Sequence, residues 1–229
     1  MAHEYEIDKL AKEECWRMFR IIGELVEGFD KLAGVEPAVT IYGSARIKPD
    51  DGLYAQAEEI AYCLGQIGFS MITGGGPGIM EAANRGAARA GVTSVGLNIE
   101  LPEEQLCNRY STKSITFNHF FARKVMLVKY ATAFVIMPGG LGTIDEVTEV
   151  LTLMQTHKIR PFPVILFNGD FWKGFLAWLR HSLLTRGYIS EDDFKLLRVC
   201  DDTGEVVEAV QKWHMNQEIS GKNALVEGK

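Results

Sequence analysis

Cysteine is scarce: Cys15, Cys63, Cys107 and Cys200 are scattered along 229 residues with no CxxC pair. That removes the redox and zinc motifs built on close cysteine spacing. Disulfide pairing stays open on sequence alone, and a reduced, cytoplasmic protein is the simpler reading. The five histidines contain no HExxH, so no metal site is expected. Positive charge is in deficit: 24 Lys and Arg face 30 Asp and Glu, a formal charge of -6. This argues against a nucleic-acid partner, although a local basic cluster can still hold one phosphate. Long apolar runs are missing too. The longest, such as Thr132 to Pro138, are strand-sized, against the roughly 18 to 20 residues of a membrane span. The charged start, Met1 to Lys12, has no apolar stretch of the kind that signals secretion. Internal repeats and low-complexity tracts are also absent.

Apolar residues make up 47% of the chain, enough for a normal core. The length suits one domain over 1–229. A helix is expected from about Ile7 to Lys31, where Trp16, Phe19, Ile22, Val26 and Phe29 recur at steps of three and four. Such a stripe covers either the core or a second subunit, and a homodimer or higher homo-oligomer is expected. Strands are expected at Ala38–Tyr42, Phe69–Thr73, Thr93–Ile99, Ala133–Met137 and Val164–Phe167, with a short extended piece near Leu196–Cys200. Helices are expected at Leu53–Ile67, Ile79–Ala90, Ser114–Tyr130, Ile144–His157, Asp170–Leu184 and Val206–Gln217, then a flexible tail over about 220–229. Strands of five to seven residues alternating with longer helices predict an α/β fold. It is Rossmann-like, with three layers around a mostly parallel twisted sheet.

Glycines cluster where strands end. Gly43-Ser44 follows the first strand, Gly74-Gly75-Gly76-Pro77-Gly78 the second, and Pro138-Gly139-Gly140-Leu141-Gly142-Thr143 the fourth expected strand. In a parallel sheet these carboxyl ends share one edge, where ligands bind. Each could be no more than a tight strand-to-helix turn. Three together predict a phosphate cradle, with backbone N–H groups at helix starts as donors. Gly140, Gly142 and Thr143 are its expected centre, with Thr143 also capping the helix behind it. Two familiar phosphate motifs fail: Ile79 takes the last glycine of G-x-G-x-x-G, and no lysine follows Gly142. The acidic residue that would bind a nicotinamide ribose is missing as well, so no cofactor is expected.

Glu146, expected on the first helical turn after Thr143, and Glu149 three residues later flank an apolar stripe at the ligand end. Arg123 and Lys124 form a charged pair inside the apolar segment FFARKVML, with His119 one turn earlier. Glu81 and Asn84 repeat the spacing of three behind the second glycine segment. Helix-start electrostatics and surface placement are the plainer explanations for each of these taken singly.

Together these segments resemble the LOG ("lonely guy") family of phosphoribohydrolases, whose members carry an older label as lysine decarboxylases. The family pattern PGGxGTxxE is met by Pro138 to Glu146, its arginine–lysine pair by Arg123-Lys124, its Gly-Ser segment by Gly43-Ser44, and GGGPGIMEAAN by Gly74 to Asn84. The matches span roughly Val39 to Phe167. The resemblance implies an enzyme that cleaves the N-glycosidic bond of a nucleoside 5'-monophosphate, giving free base and ribose 5-phosphate. AMP, another purine nucleotide and a cytokinin riboside monophosphate are all open as substrates, as are roles in cytokinin activation or nucleotide turnover. It implies Arg123 and Glu146 as catalytic residues, and Gly139, Gly140, Leu141, Gly142 and Thr143 as the phosphate turn. Gly43, Ser44, Gly75, Gly76, Glu81, Asn84, Lys124, Met137 and Glu149 are the further expected substrate contacts. Glu146 would stabilise a cationic sugar or activate water, Glu149 would support it or bind a ribose hydroxyl, and Arg123 would orient the phosphate or ribose and keep Glu146 ionised. The acid that protonates the base stays open between water, Glu81 and the Leu101–Ser114 connection. No lysine sits in a context suited to pyridoxal phosphate, which counts against decarboxylation. The alternative from another class is a nucleotide- or molybdopterin-binding carrier without turnover.

Overall fold

The computed structural model describes residues 14–101 and 107–227. Residues 7–13 of the expected first helix, 102–106 of the long connection and 228–229 of the expected tail lie outside them. The described elements run α1 (Glu14–Leu32), β1 (Ala38–Tyr42), α2 (Gly52–Gln66), β2 (Ser70–Thr73), α3 (Ile79–Ala90), β3 (Ser94–Ile99) and β4 (Lys113–Phe117). They continue with α4 (Phe120–Lys129), β5 (Ala131–Ile136), α5 (Leu141–Gln155), β6 (Val164–Phe167), α6 (Gly169–Trp178), α7 (Glu191–Phe194), β7 (Leu197–Cys200) and α8 (Thr203–Glu227). A π-helical turn, Leu179–Leu184, extends α6.

Among the described residues, seven strands form one sheet in the order β4-β3-β2-β1-β5-β6-β7. Every pairing is parallel. Continuous apolar strands such as AVTIY and VILF are buried along their whole length, as a sheet covered on both faces requires. Side-chain parity sorts the strands between two cores. Tyr42, Ile72, Leu97, Phe134 and Ile136 point into the layer that holds Leu32, Met126, Val147 and Trp172, from α1, α4, α5 and α6. Ile41, Met71, Val135 and Met137 point into the opposite layer with Tyr54, Ile60, Ala82 and Val206, from α2, α3 and α8. The chain builds outward from β1 through β2 to β4, then returns to lay β5 on the other side of β1. The crevice between the β1 and β5 ends is therefore the switch point of the sheet.

One expected element changes, and the structure adds detail at two others. The expected helix Ser114–Tyr130 is edge strand β4 followed by α4. Ile115, His119, Ala122 and Met126 do recur at helical steps. Yet Ile115 and Phe117 are buried while Ser114 and Thr116 are exposed, which is the alternation of a strand. The apolar row of α1 does not face the core of its own chain. Trp16 is 73% and Phe19 67% exposed, with Ile22, Val26 and Phe29 on the same open side. The inward side is instead Glu24, Gly28 and Leu32, where Gly28 lets α1 approach Met126 of α4 closely. Finally, α8 stays helical past Ser220 to Glu227.

Glu24 is a cap supplied from outside the helix it caps. His119, at the N-cap of α4, has no side-chain cap bond of its own. Glu24 accepts from the Asn118 backbone at 3.1 Å, the Asn118 amide at 3.1 Å and the His119 backbone at 3.3 Å. Its carboxylate also lies 3.0 Å from His119 Nδ1. A buried carboxylate at a helix start gains from both the free donors and the dipole. Glu24→Ala would remove the partner of the buried His119 backbone donor and of two part-buried Asn118 donors at once. A loss of about 2–4 kcal/mol is expected, read as a lowered midpoint in urea or thermal unfolding. A change within error would show that water replaces the carboxylate.

Candidate active site

The three glycine segments meet at one sheet edge and are laced together. Ser44 N donates to Pro138 O at 3.1 Å, and Ile79 N donates to Ser44 O at 3.1 Å. Gly78 turns at φ 68°, and a Cβ there would strike the backbone of Ser44 and Ala45. Only glycine meets both demands. The cleft between them has a volume of about 780 Å³, within the range of small-molecule sites. Its walls include Gly43, Ser44, Gly74, Arg123, Gly140 to Thr143 and Glu146.

Helix α5 begins at the cleft. Its N-cap is Gly140, with Leu141 as first helical residue. Thr143 N and Ile144 N both donate to Gly140 O, at 3.0 and 3.1 Å. The N–H groups of Leu141 and Gly142 come before the first closed turn, and both residues are exposed. This is the donor geometry that suits an anion. Two details differ from expectation. Thr143 is not the cap: its side chain is buried and packs where a Cβ on Gly139 would sit. Because the helix starts three residues early, Glu146 stands in its second turn, not its first.

Arg123 projects from α4 into the cleft. Its Nε donates to Leu97 O at 2.6 Å, and a terminal nitrogen lies 3.4 Å from Gly74 O. Gly74 leaves the room that the guanidinium fills. Burial lowers the Arg123 pKa, while Glu146 and Tyr42 oppose that shift. Glu146 is buried, and no hydrogen bond reaches its Oε2 among the described residues. Burial pushes its carboxyl up to about 7 against the pull of Lys124 and then Arg123, with Glu149 and Asp145 adding to the rise. Arg123 does favour the ionised form of Glu146, but with Lys124 it does not offset the burial. Desolvation outweighs the nearby cations.

Lys124 turns away from the cleft. Its Nζ lies 2.7 Å from Asp145, 3.0 Å from Glu149 and 3.7 Å from Glu146. Burial works against its charge, but Asp145, Glu149 and Glu146 together outweigh it and raise its pKa. Lys124 and Glu149 line a separate apolar hollow with Val128, Leu153 and Phe162, so both stand behind Glu146.

Other expected contacts are part of the support. Asn84 is fully buried: it accepts from Thr73 and Asn108 and donates to Ser94 and Val95 O. Asn108 also binds Gly75 O and Gly76 O, so Gly75 and Gly76 are buried links in this network. Glu81 accepts from Tyr54 Oη at 3.0 Å. Met137 lies in the core on the α2–α3–α8 side, because strand parity points it away from the layer that carries Arg123 and Glu146. Sequence reasoning passed over Tyr42, Arg46, Met80 and Leu127, which also line the cleft. Tyr42 carried a readable signal, since it is the last residue of β1 before Gly43.

The chain matches the sequence profile of the family described as "Possible lysine decarboxylase" over residues 80–210. It is 30% identical over 157 residues to the cytokinin riboside 5'-monophosphate phosphoribohydrolase of Mycobacterium tuberculosis, covering 67% of this chain and 82% of that protein. It is 26% identical over 192 residues to the pyrimidine/purine nucleotide 5'-monophosphate nucleosidase of Escherichia coli K12, covering 76% of this chain and 40% of that longer protein. Among solved structures, the molybdenum cofactor carrier protein of Chlamydomonas reinhardtii shares the fold with a TM-score of 0.56 at 22% identity, over 78% of this chain and 98% of that one. With the profile match covering more than half of the chain and the mycobacterial relative spanning two thirds of it, this protein belongs to the LOG, or "Possible lysine decarboxylase", family.

Proposed function

We propose that this protein is a nucleoside 5'-monophosphate phosphoribohydrolase. The observation that carries the reading is the placement of Glu146. A buried, hydrogen-bond-poor carboxylate stands in the same cleft as the two free N–H groups at the start of α5. A 5'-phosphate on Leu141 and Gly142 would anchor the nucleotide at the helix start. Its ribose would then lie toward Glu146 and Arg123. Loss of the base builds positive charge on the sugar, and an ionised Glu146 answers it directly or by taking a proton from water. Arg123 would bind ribose or phosphate oxygens from the opposite wall. The names of the mycobacterial and Escherichia coli relatives support the same reaction.

The test is a panel of nucleoside monophosphates (AMP, GMP, IMP, CMP and a cytokinin riboside monophosphate) incubated with the protein. Chromatography should show free base and ribose 5-phosphate in equal amounts. Nucleotide that binds but stays intact throughout would favour a carrier and sink the hydrolase.

The exposed apolar row of α1 supports association between copies of the chain, with Phe121 and Val125 of α4 also exposed. A contiguous apolar surface of this kind is costly to leave in water. The protein is expected to sediment as a dimer or larger, and Phe19→Glu to shift it toward monomer. A wild type that sediments as a monomer at micromolar concentration would end that part of the reading. The unpaired Cys63, Cys107 and Cys200 suit a reducing cytoplasm.

A further inference from the structure

Helix α4 carries Arg123 into the cleft, and the first turn of that helix is held from outside. Arg123 N donates to His119 O at 3.2 Å. The residue that reaches Leu97 O and Gly74 O therefore closes the first turn of α4, and its placement depends on how well the helix start is fixed. The local means of fixing it are missing. His119 stands at the N-cap with the extended backbone of a capping residue, φ -112° and ψ 120°, yet makes no side-chain cap bond. Asn, Asp, Ser or Thr there would supply one. In a capping box the N-cap N–H is accepted by a Glu or Gln three residues on. That position is Ala122, which has no acceptor to offer.

Glu24 supplies the acceptor from 95 residues earlier in the chain. Both oxygens of its buried side chain are engaged. Oε1 accepts from the Asn118 backbone and side-chain amide and lies 3.0 Å from His119 Nδ1, while Oε2 accepts from the His119 backbone. Helix α1 delivers this group in register because it is tied down further along. Gly28 lets it approach Met126 of α4. Tyr130 Oη donates to Phe29 O at 3.4 Å, and Lys113 Nζ donates to Lys31 O at 2.6 Å. Lys129 Nζ also lies over the Phe29 ring, 5.6 Å from its centroid. Among the described residues no side chain of α1 lines the cleft, so the direct route from α1 to the chemistry runs through α4.

We propose that Glu24 is a positioning residue for Arg123. Through Asn118 and His119 it orders the first turn of α4, and so aims the guanidinium at Leu97 O, Gly74 O and the cleft. The consequence for turnover rests on the hydrolase reading; the consequence for the arginine does not. Without Glu24 the donors of Asn118 and His119 turn to water, and the turn frays as weakly held helix ends do. The guanidinium then spends time where it no longer spans the two carbonyls.

Arg123 Nε–H is the reporter. Held on Leu97 O at 2.6 Å, it should give a slowly exchanging signal in nitrogen-15 spectra of the full chain, assigned by its disappearance in Arg123→Met. Glu24→Ala should broaden that signal or speed its exchange. Glu24→Gln keeps an acceptor oxygen and should do so less; it carries the same comparison if the alanine variant fails to fold. Base release is measured well below the unfolding midpoint of each variant, with AMP and the other monophosphates as substrates. There Glu24→Ala should lower kcat/KM about 5- to 30-fold at pH 7, the population change that a lost cap brings. In the Arg123→Met background the same replacement should cost less than about twofold, because no guanidinium is left to position. Adding His119→Asn to Glu24→Ala places a cap within α4 itself and should recover most of the signal and of the rate. An Arg123 signal unchanged by loss of Glu24 overturns the proposal, and so does an equal rate loss in both backgrounds. A wild type that releases base from none of the nucleotides overturns the hydrolase reading, while the arginine signal still decides the role of Glu24.

Discussion

Glu146→Gln is expected to lose about 10²- to 10³-fold in kcat for base release, with little change in KM. The substitution keeps the shape and burial of the side chain but removes the charge that answers the cationic sugar. It also removes a titration. With burial pushing the Glu146 carboxyl up to about 7, wild-type kcat should fall about tenfold per unit of pH below that point. The residual activity of the variant should lack this limb. Stability should change the other way. A carboxyl whose folded pKa is raised favours the folded state fully below the unfolded value, and that contribution is lost as pH rises through the folded pKa. Above pH 7 the wild type therefore carries an ionised, desolvated group that the amide does not. Glu146→Gln should gain on the order of 1–3 kcal/mol at pH 8 relative to pH 5. Slower turnover together with higher alkaline stability is the signature of a functional group held at a cost to the fold. Full activity in the variant would remove Glu146 from the mechanism.

The parts of this site differ in how far sequence could show them. The glycine segments were legible because backbone chemistry dictates them. Strand parity and the parallel order then bring Gly43, Gly74 and Gly140 to one edge without further information. The directions of individual side chains were less accessible. Met137 adjoins the phosphate turn in sequence, but alternation along β5 buries it in the opposite core. Lys124 is next to Arg123, yet neighbours on a helix are about 100° apart, which turns Lys124 toward Asp145 and Glu149. Asn84 is a polar residue near a ligand edge, but the chain also needs a buried bracket between Thr73, Ser94 and Asn108. Only tertiary contacts reveal that need. Strand β4 was hidden because its apolar residues continue the helical rhythm of α4. Its Ile115 and Thr116, with Thr112 just before it, were the β-branched hint against a helix.

Arg123→Met should be the second large loss, about 10²-fold or more in kcat/KM at pH 7. Three effects point the same way. The guanidinium holds Leu97 O and Gly74 O, so its loss frees the loop after β2 that closes one side of the cleft. It also takes from Glu146 one of the two cations that lower its pKa, so the acid limb should move above 7. A substrate ribose or phosphate would lose a donor as well. Arg123→Lys separates these effects. An ammonium restores charge near Glu146, but it cannot reproduce the forked geometry that spans two carbonyls. The lysine variant should therefore recover much of the pH profile while recovering little of the rate. If lysine restored both, Arg123 would act as a point charge alone, and the loop contact would have no part in catalysis. If methionine left both unchanged, the arginine would belong to the scaffold, and the opposite wall of the cleft would need a different ligand for the sugar.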